Sequence, residues 1–239
     1  MNSLDHNISN LYLIRHGQAS FGEKDYDNLS KKGIKQSITL GKKLSKQKIS
    51  FEITIIGPLK RHKQTFERIN EGYGGSLNEP VIIKEFAENQ LMDIAQYFIP
   101  KMLNTDKNLK EIFTSVPFWK RKRKFLEYFN IIAKQWIHNE LDLSHKGFES
   151  YDSFRQRVSK AVEKVSSIMK KNSNTMVVSS GGAITGVYAE CHPLTVEEIM
   201  DLNFKIKNAS LTLFKKENET FTLESFNRSL LPSYLETFI

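Results

Sequence analysis

The sequence predicts an α/β fold: three α/β/α layers with a mainly parallel central sheet and an inserted helical cap. Three observations carry that expectation. Short apolar runs bounded by turn residues alternate with segments whose apolar residues recur at helical spacing. The first run, Leu11–Ile14, leads into Arg15-His16-Gly17, which puts chemistry-bearing side chains where open α/β sheets bind ligands, outside the strand ends. From about Glu88 to Leu141 the strand signals stop and the pattern is helical throughout.

Taken in order, Leu11-Tyr12-Leu13-Ile14 reads as a buried strand closed by Gly17. Ser30 is placed to cap a helix to about Lys48, with Ile34/Ile38 and Leu40/Leu44 on its inner face. Ile53–Ile56 is a second strand ended by Gly57-Pro58. A short helix from about Leu59 to Asn70 follows, then the glycine-rich connector Gly72–Gly75 and a third strand, Pro80–Ile83. In the helical stretch Phe118, Phe125, Phe129, Ile132 and Trp136 form one apolar stripe, and Pro100 and Pro117 mark breaks. The loop Ser144–Ser150 leads back to a helix with Phe154, Val158, Ala161, Val165 and Ile168 on one face. Met176–Ser179 is a fourth strand, passing through Ser180-Gly181-Gly182 into a helix. Thr195 and Glu198 have capping-box spacing for another. Ser210–Phe214 and Thr220–Ser225 close the sheet around the turn Lys216–Asn218. The expected organisation is one domain over residues 1–239, with 88–141 inserted in it as the cap.

Composition narrows the function classes. A chain of 239 residues suffices for one sizeable core. With Cys191 its single cysteine, no intrachain disulfide can form, and a reducing, cytoplasmic setting is expected. The polar first ten residues lack the basic start and apolar core of a signal peptide, and no apolar run suits a membrane span. A net charge of +8 favours anionic partners. Part of the excess is the run Lys120-Arg121-Lys122-Arg123-Lys124 beside Phe118 and Trp119, read first as a solvated helix start and second as a rim for a polyanionic substrate. No nucleic-acid motif accompanies it, so neither nucleic acid nor membrane is expected as a partner. Oligomeric state is left open. There is no His-Glu-x-x-His run and no cysteine pair, so no metal or other cofactor is expected.

Arg15 offers a planar fork matched to phosphate, and His16 a nucleophile or proton carrier. Gly17 allows close backbone approach to a ligand. Arg61 follows the second strand in Gly57-Pro58-Leu59-Lys60-Arg61-His62-Lys63-Gln64-Thr65. These segments resemble the histidine phosphatase, or phosphoglycerate-mutase-like, superfamily. So do Tyr26-Asp27-Asn28-Leu29-Ser30 with Gly33 and Gln36, Gly147-Phe148-Glu149-Ser150 with Arg157-Val158, and Asn208-Ala209-Ser210 with Phe226-Asn227. The resemblance implies phosphomonoester hydrolysis through a phosphohistidine on His16, with Arg15 and Arg61 binding phosphate and Gln18 and Ser20 as further substrate contacts. It implies Glu85 as the general acid, at the end of Ile83-Lys84-Glu85, with Glu88 as the fallback. Its departure is at Ser179-Ser180-Gly181-Gly182, where the family pattern is Ser-His-Gly-Gly, so Ser180 stands at the second histidine position beside Gly181. Losing a well-placed oxyanion donor slows catalysis by about 10²- to 10³-fold. A slow phosphatase is therefore expected first, a phospho-ligand-binding or regulatory module second, and mutase-like phosphotransfer third. The ligand in each case is a small phosphorylated substrate or another anion. Among the other histidines, His62 is expected to point about 100° away from Arg61, one helical step on.

Overall fold

The computed structural model describes residues 8–20, 27–105 and 118–238, and at 105 and 118–123 the backbone alone. Along the chain run β1 (Ile8–Arg15), α1 (Lys31–Lys46), β2 (Ile53–Ile56), α2 (Lys60–Tyr73), β3 (Val81–Ile82), α3 (Leu91–Thr105) and α4 (Phe118–Ile137). Then come α5 (Tyr151–Ile168), β4 (Asn174–Ser179), α6 (Gly181–Cys191), α7 (Val196–Lys205), β5 (Leu211–Glu217) and β6 (Thr220–Arg228). Single 3₁₀ turns lie at Lys84–Phe86 and Ser233–Leu235. This is the predicted α/β class, a central mixed sheet with flanking helices.

The six strands are ordered β3-β2-β4-β1-β5-β6. From β3 to β1 the neighbours are parallel, and β5 and β6 join antiparallel. β1 is a central strand, with Leu11, Leu13 and Ile14 buried as its apolar run requires. Register decides where the chemistry emerges. Arg15 lies opposite Ser179 and Ile56 opposite Val178. The segments that follow β1, β2 and β4 therefore leave the sheet at one end, outside the carboxyl termini of the strands. Backbone bonds continue the alignment past the strands, from His16 N–H to the Ser179 carbonyl (2.8 Å) and from Gly57 N–H to that of Val178 (3.0 Å).

One core cluster joins Ile14, Ile56, Met176 and Val178 of the sheet to Leu40 and Leu44 of α1 and Phe66 and Ile69 of α2. Each such side chain, once fully buried, contributes about 1.5–3 kcal/mol. The two helices cross at backbone distance because two glycines allow it. A Cβ on Gly41 would stand 2.1 Å from the Ile69 carbonyl oxygen, and one on Gly72 2.1 Å from that of Ile38. Ser30 caps α1 as expected, accepting from Gly33 N–H at 3.1 Å. Thr195 and Glu198 form the reciprocal capping box, at 2.8 and 3.2 Å.

Some sequence-based boundaries are corrected. Gly72 belongs to α2, which ends at Gly74 with φ 110°, so the connector is shorter than predicted. β3 has two residues and both are exposed, as suits an edge strand with a partner on one side. Pro100 lies inside α3 instead of breaking it. Pro117 lies outside the described residues.

The chain divides into two compact units, one of Met1–Glu88, Arg157–Leu194 and Asp201–Ile239, the other of Asn89–Gln156 and Thr195–Met200. The second is wider than the predicted 88–141 insertion. Within it, Trp136 stands edge-on to Tyr151 at 5.2 Å, and its Nε1–H donates to the Glu149 carbonyl at 2.8 Å. Phe129, Ile132 and Trp136 of the predicted stripe are buried. Lys124, the one residue of the basic run with a described side chain, pairs with Glu127 on the helix surface. No helix among the described residues is long and apolar enough to cross a membrane.

Candidate active site

Every residue of the candidate site belongs to the sheet-bearing unit. His16 follows β1, Arg61 and His62 lie in the first turn of α2, and Ser180 is the N-cap of α6. Two glycines let the β1 end settle onto α1. A Cβ on Gly17 would meet the Gly33 carbonyl oxygen at 2.6 Å, and one on Gly33 would meet that of Gln18 at 2.1 Å. The first turn of α2 has no cap of its own, because its N-cap residue is Leu59. Asp27 supplies what is missing. Its Oδ2 accepts from Lys60 N–H at 2.8 Å, and its Oδ1 forms a 2.7 Å ion pair with Nη1 of Arg61. One carboxylate thus caps the helix and aims the arginine.

His16 is buried, and its Nδ1–H donates to the Gly17 carbonyl at 2.7 Å, which leaves the lone pair on Nε2. Arg61 Nε–H donates to that Nε2 at 3.2 Å. Burial, then the charges of Arg61 and Arg15, hold the His16 pKa well below its ordinary value, so the ring is neutral and nucleophilic at pH 7. Arg61 Nη2–H also donates to Ser180 Oγ at 3.3 Å. Arg15 donates through Nη1 to the carbonyls of Ile206 and Phe238. Its guanidinium lies against the start of α6, since a Cβ on Gly181 would be 3.6 Å from Nε. The predicted set Arg15, His16, Arg61, Ser180 and Gly181 is therefore brought together.

The two candidate acids part company. Glu85, favoured from the sequence, forms a 2.5 Å ion pair with Lys164 of α5. That bond holds its carboxyl below the usual range, a direction that does not favour a proton donor. Glu88 Oε1 accepts from Gly182 N–H at 3.1 Å, at the start of α6 beside Ser180. Arg157 holds the intervening loop by donating to the carbonyls of Glu85 (2.7 Å) and Ala87 (2.9 Å). Gln18 faces α1, where its Oε1 accepts from the Ser30 hydroxyl at 3.0 Å. Ser20 is buried, its N–H donating to the Asn28 carbonyl at 2.8 Å.

Two residues carried no sequence signal of their own. Asp27 lies in the segment Tyr26–Ser30, where the resemblance implies no role for it. His62 was expected to point away, yet its fully buried ring reaches Ser180 Oγ at 2.7 Å through Nε2 and lies 5.8 Å from the His16 ring. The 100° step separates the two Cβ atoms, but the long Arg61 side chain curls back to the hydroxyl that His62 meets directly. Among the described residues no group of three or more His, Cys, Asp or Glu side chains is arranged to hold a metal ion.

A neutral imidazole, two arginines and a strand-to-helix turn thus lie together at one end of the sheet. The sequence profile of the histidine phosphatase superfamily (branch 1) matches residues 11–98 and 91–229, and the chain belongs to that family. No curated protein matches it. Among solved structures, the chain is similar to a phosphoglycerate mutase from Bacillus anthracis, with TM-score 0.62, 19% identity, and coverage of 94% of this chain and 95% of that one. It is also similar to a phosphoserine phosphatase from Entamoeba histolytica in complex with 3-phosphoglyceric acid, with TM-score 0.59, 20% identity, and coverage of 93% and 98%. For a mycobacterial glucosyl-3-phosphoglycerate phosphatase the values are 0.61, 16%, 93% and 100%.

Proposed function

We propose that the protein hydrolyses phosphomonoesters through a phosphohistidine on His16. The observation that carries this reading is the His16 ring, buried, neutral and oriented by Gly17 so that the lone pair of Nε2 faces Arg61. An entering phosphoryl group takes over Arg61, assisted by Arg15 and the N–H groups at the start of α6. Nε2 attacks phosphorus. As the N–P bond forms the ester O–P bond breaks, and the leaving alkoxide takes a proton from Glu88. Water then attacks the phosphohistidine, Glu88 takes up its proton, the N–P bond breaks and inorganic phosphate leaves. The arginines carry the charge of both in-line transfers.

The test is a panel of small phosphomonoesters, including phosphoserine, 3-phosphoglycerate and an aryl phosphate, assayed with chelator present. Hydrolysis with an acid-labile, alkali-stable phosphoenzyme is expected. Phosphate bound without turnover would leave a phospho-ligand-binding module, and transfer to a second acceptor instead of water would mark a mutase. The assignment of the acid has its own check. Glu88→Gln should lower kcat on alkyl phosphates by about 10²- to 10⁴-fold, and far less on the aryl ester, whose leaving group needs no proton. Glu85→Gln should stay within a few-fold of wild type on both. The reverse pattern would restore Glu85.

A further inference from the structure

The ring of His62 takes no part in that reaction, yet it is fully buried against the site. Helix packing alone does not account for it, because an apolar residue would fill the same space without burying two ring nitrogens. One of them, Nδ1, faces the Gly57 backbone without reaching the geometry of a normal hydrogen bond, while Nε2 lies 2.7 Å from Ser180 Oγ.

Ser180 is equally informative. Serine at an N-cap ordinarily accepts a hydrogen bond from the first turn of its helix. Here the side chain makes no capping bond, and the Glu88 carboxylate takes the Gly182 N–H instead. The Ser180 hydroxyl is turned to His62 (2.7 Å) and Arg61 (3.3 Å).

We infer that His62 is a positioning residue: its Nε2–H, with Arg61 Nη2–H, fills both lone pairs of Ser180 Oγ and so directs the Ser180 proton at a phosphoryl oxygen bound beside His16. The argument is one of hydrogen-bonding capacity. A hydroxyl offers two acceptor sites and one donor. With two donors seated on the oxygen, the proton is the only capacity left for a ligand. Were His62 instead to accept that proton, Ser180 would present only lone pairs to an anion, which repel it. The ring stays uncharged as this requires: burial and then the Arg61 charge hold the His62 pKa down at about 3. The inference rests on the phosphate reading above and assigns the histidine next to Arg61 a part in it.

Inorganic phosphate is the probe, with binding measured by calorimetry. Ser180→Ala is expected to weaken it by about 10- to 100-fold, the range for a hydrogen bond to a charged group. His62→Leu, close to histidine in volume, should lose a similar factor, and the double variant no more than either single one. His62→Gln keeps an N–H near the position of Nε2 and should stay within a few-fold of wild type. The ring-nitrogen NMR spectrum of the phosphate-saturated wild type, which needs no variant, should place the His62 proton on Nε2. Leucine as good as glutamine, losses that multiply in the double variant, or a proton on Nδ1 would each overturn the inference while leaving the phosphatase reading standing. A wild-type protein that binds no phosphate, with turnover indifferent to His16→Ala, would remove that reading and this inference with it.

Discussion

His16→Ala is expected to abolish phosphomonoester turnover, by about 10⁴-fold or more, as removal of a nucleophile does in enzymes that work through a covalent intermediate. Binding should suffer far less. Arg61 is held by Asp27 as well as by His16, and Arg15 by two backbone carbonyls, so the anion-binding groups keep their supports in the variant. The expected signature is a collapse of kcat and of phosphoenzyme with phosphate affinity kept within about tenfold, because the attack on phosphorus is lost and the cationic pocket is not. Turnover within tenfold of wild type would mean that His16 does not attack phosphorus. The fold should tolerate the change, since it removes a buried imidazole crowded by two arginines and a second imidazole.

The second large effect is on acid stability. His16 and His62 are both buried and neutral, with pKa values below the ordinary 6.5, that of His62 at about 3. The sign follows from where the protons go. Below pH 6.5 the unfolded chain protonates both rings while in the folded chain both stay neutral further down, His62 to about pH 3, so unfolding takes up protons and stability falls as the pH drops. Each ring contributes up to about 1.4 kcal/mol per pH unit, and His62 about 5 kcal/mol over the whole interval. Above about pH 7.5 both states hold the rings neutral and this contribution is flat. Chemical denaturation between pH 7.5 and 5, above the range where carboxylates such as Glu85 and Glu236 matter, should therefore show a steep decline. His62→Leu should remove about half of that slope; an unchanged slope would contradict the buried neutral state of His62.

Much of the fold was legible because its signals are local. β1 and β2 declare themselves by short apolar runs, and the caps of α1 and α7 by Ser30 and by Thr195 with Glu198, each within four residues of what it caps. That Arg15, His16 and Arg61 would come together was legible from motif and position at strand ends. What stayed hidden depends on contacts distant in sequence. The sequence ranks Glu85 ahead of Glu88, and it does not show that Lys164 engages the one and the start of α6 the other. His62 meets a residue more than a hundred positions away, and no helical-wheel argument about neighbouring Cβ atoms can tell where a long arginine returns to. Pro100 illustrates the converse, a strong local signal overridden inside α3.

The place of β1 in the sheet also bears on how the chain folds as it is made. β1 leaves the ribosome before its two neighbours in the sheet, β4 and β5, and neither exists until residues 174–179 and 211–217 have been synthesised. At about 5–20 residues per second, the wait between β1 and its second neighbour is roughly ten to forty seconds. During that time an apolar strand containing Leu11, Leu13 and Ile14 has both edges open, a state prone to pairing with other chains. His16 is translated early but acquires its Ser179 backbone partner only late. The nascent chain therefore carries the His16 imidazole long before the residues around it are in place, and factors that shield apolar strands on the ribosome should govern how much of this protein reaches the folded state.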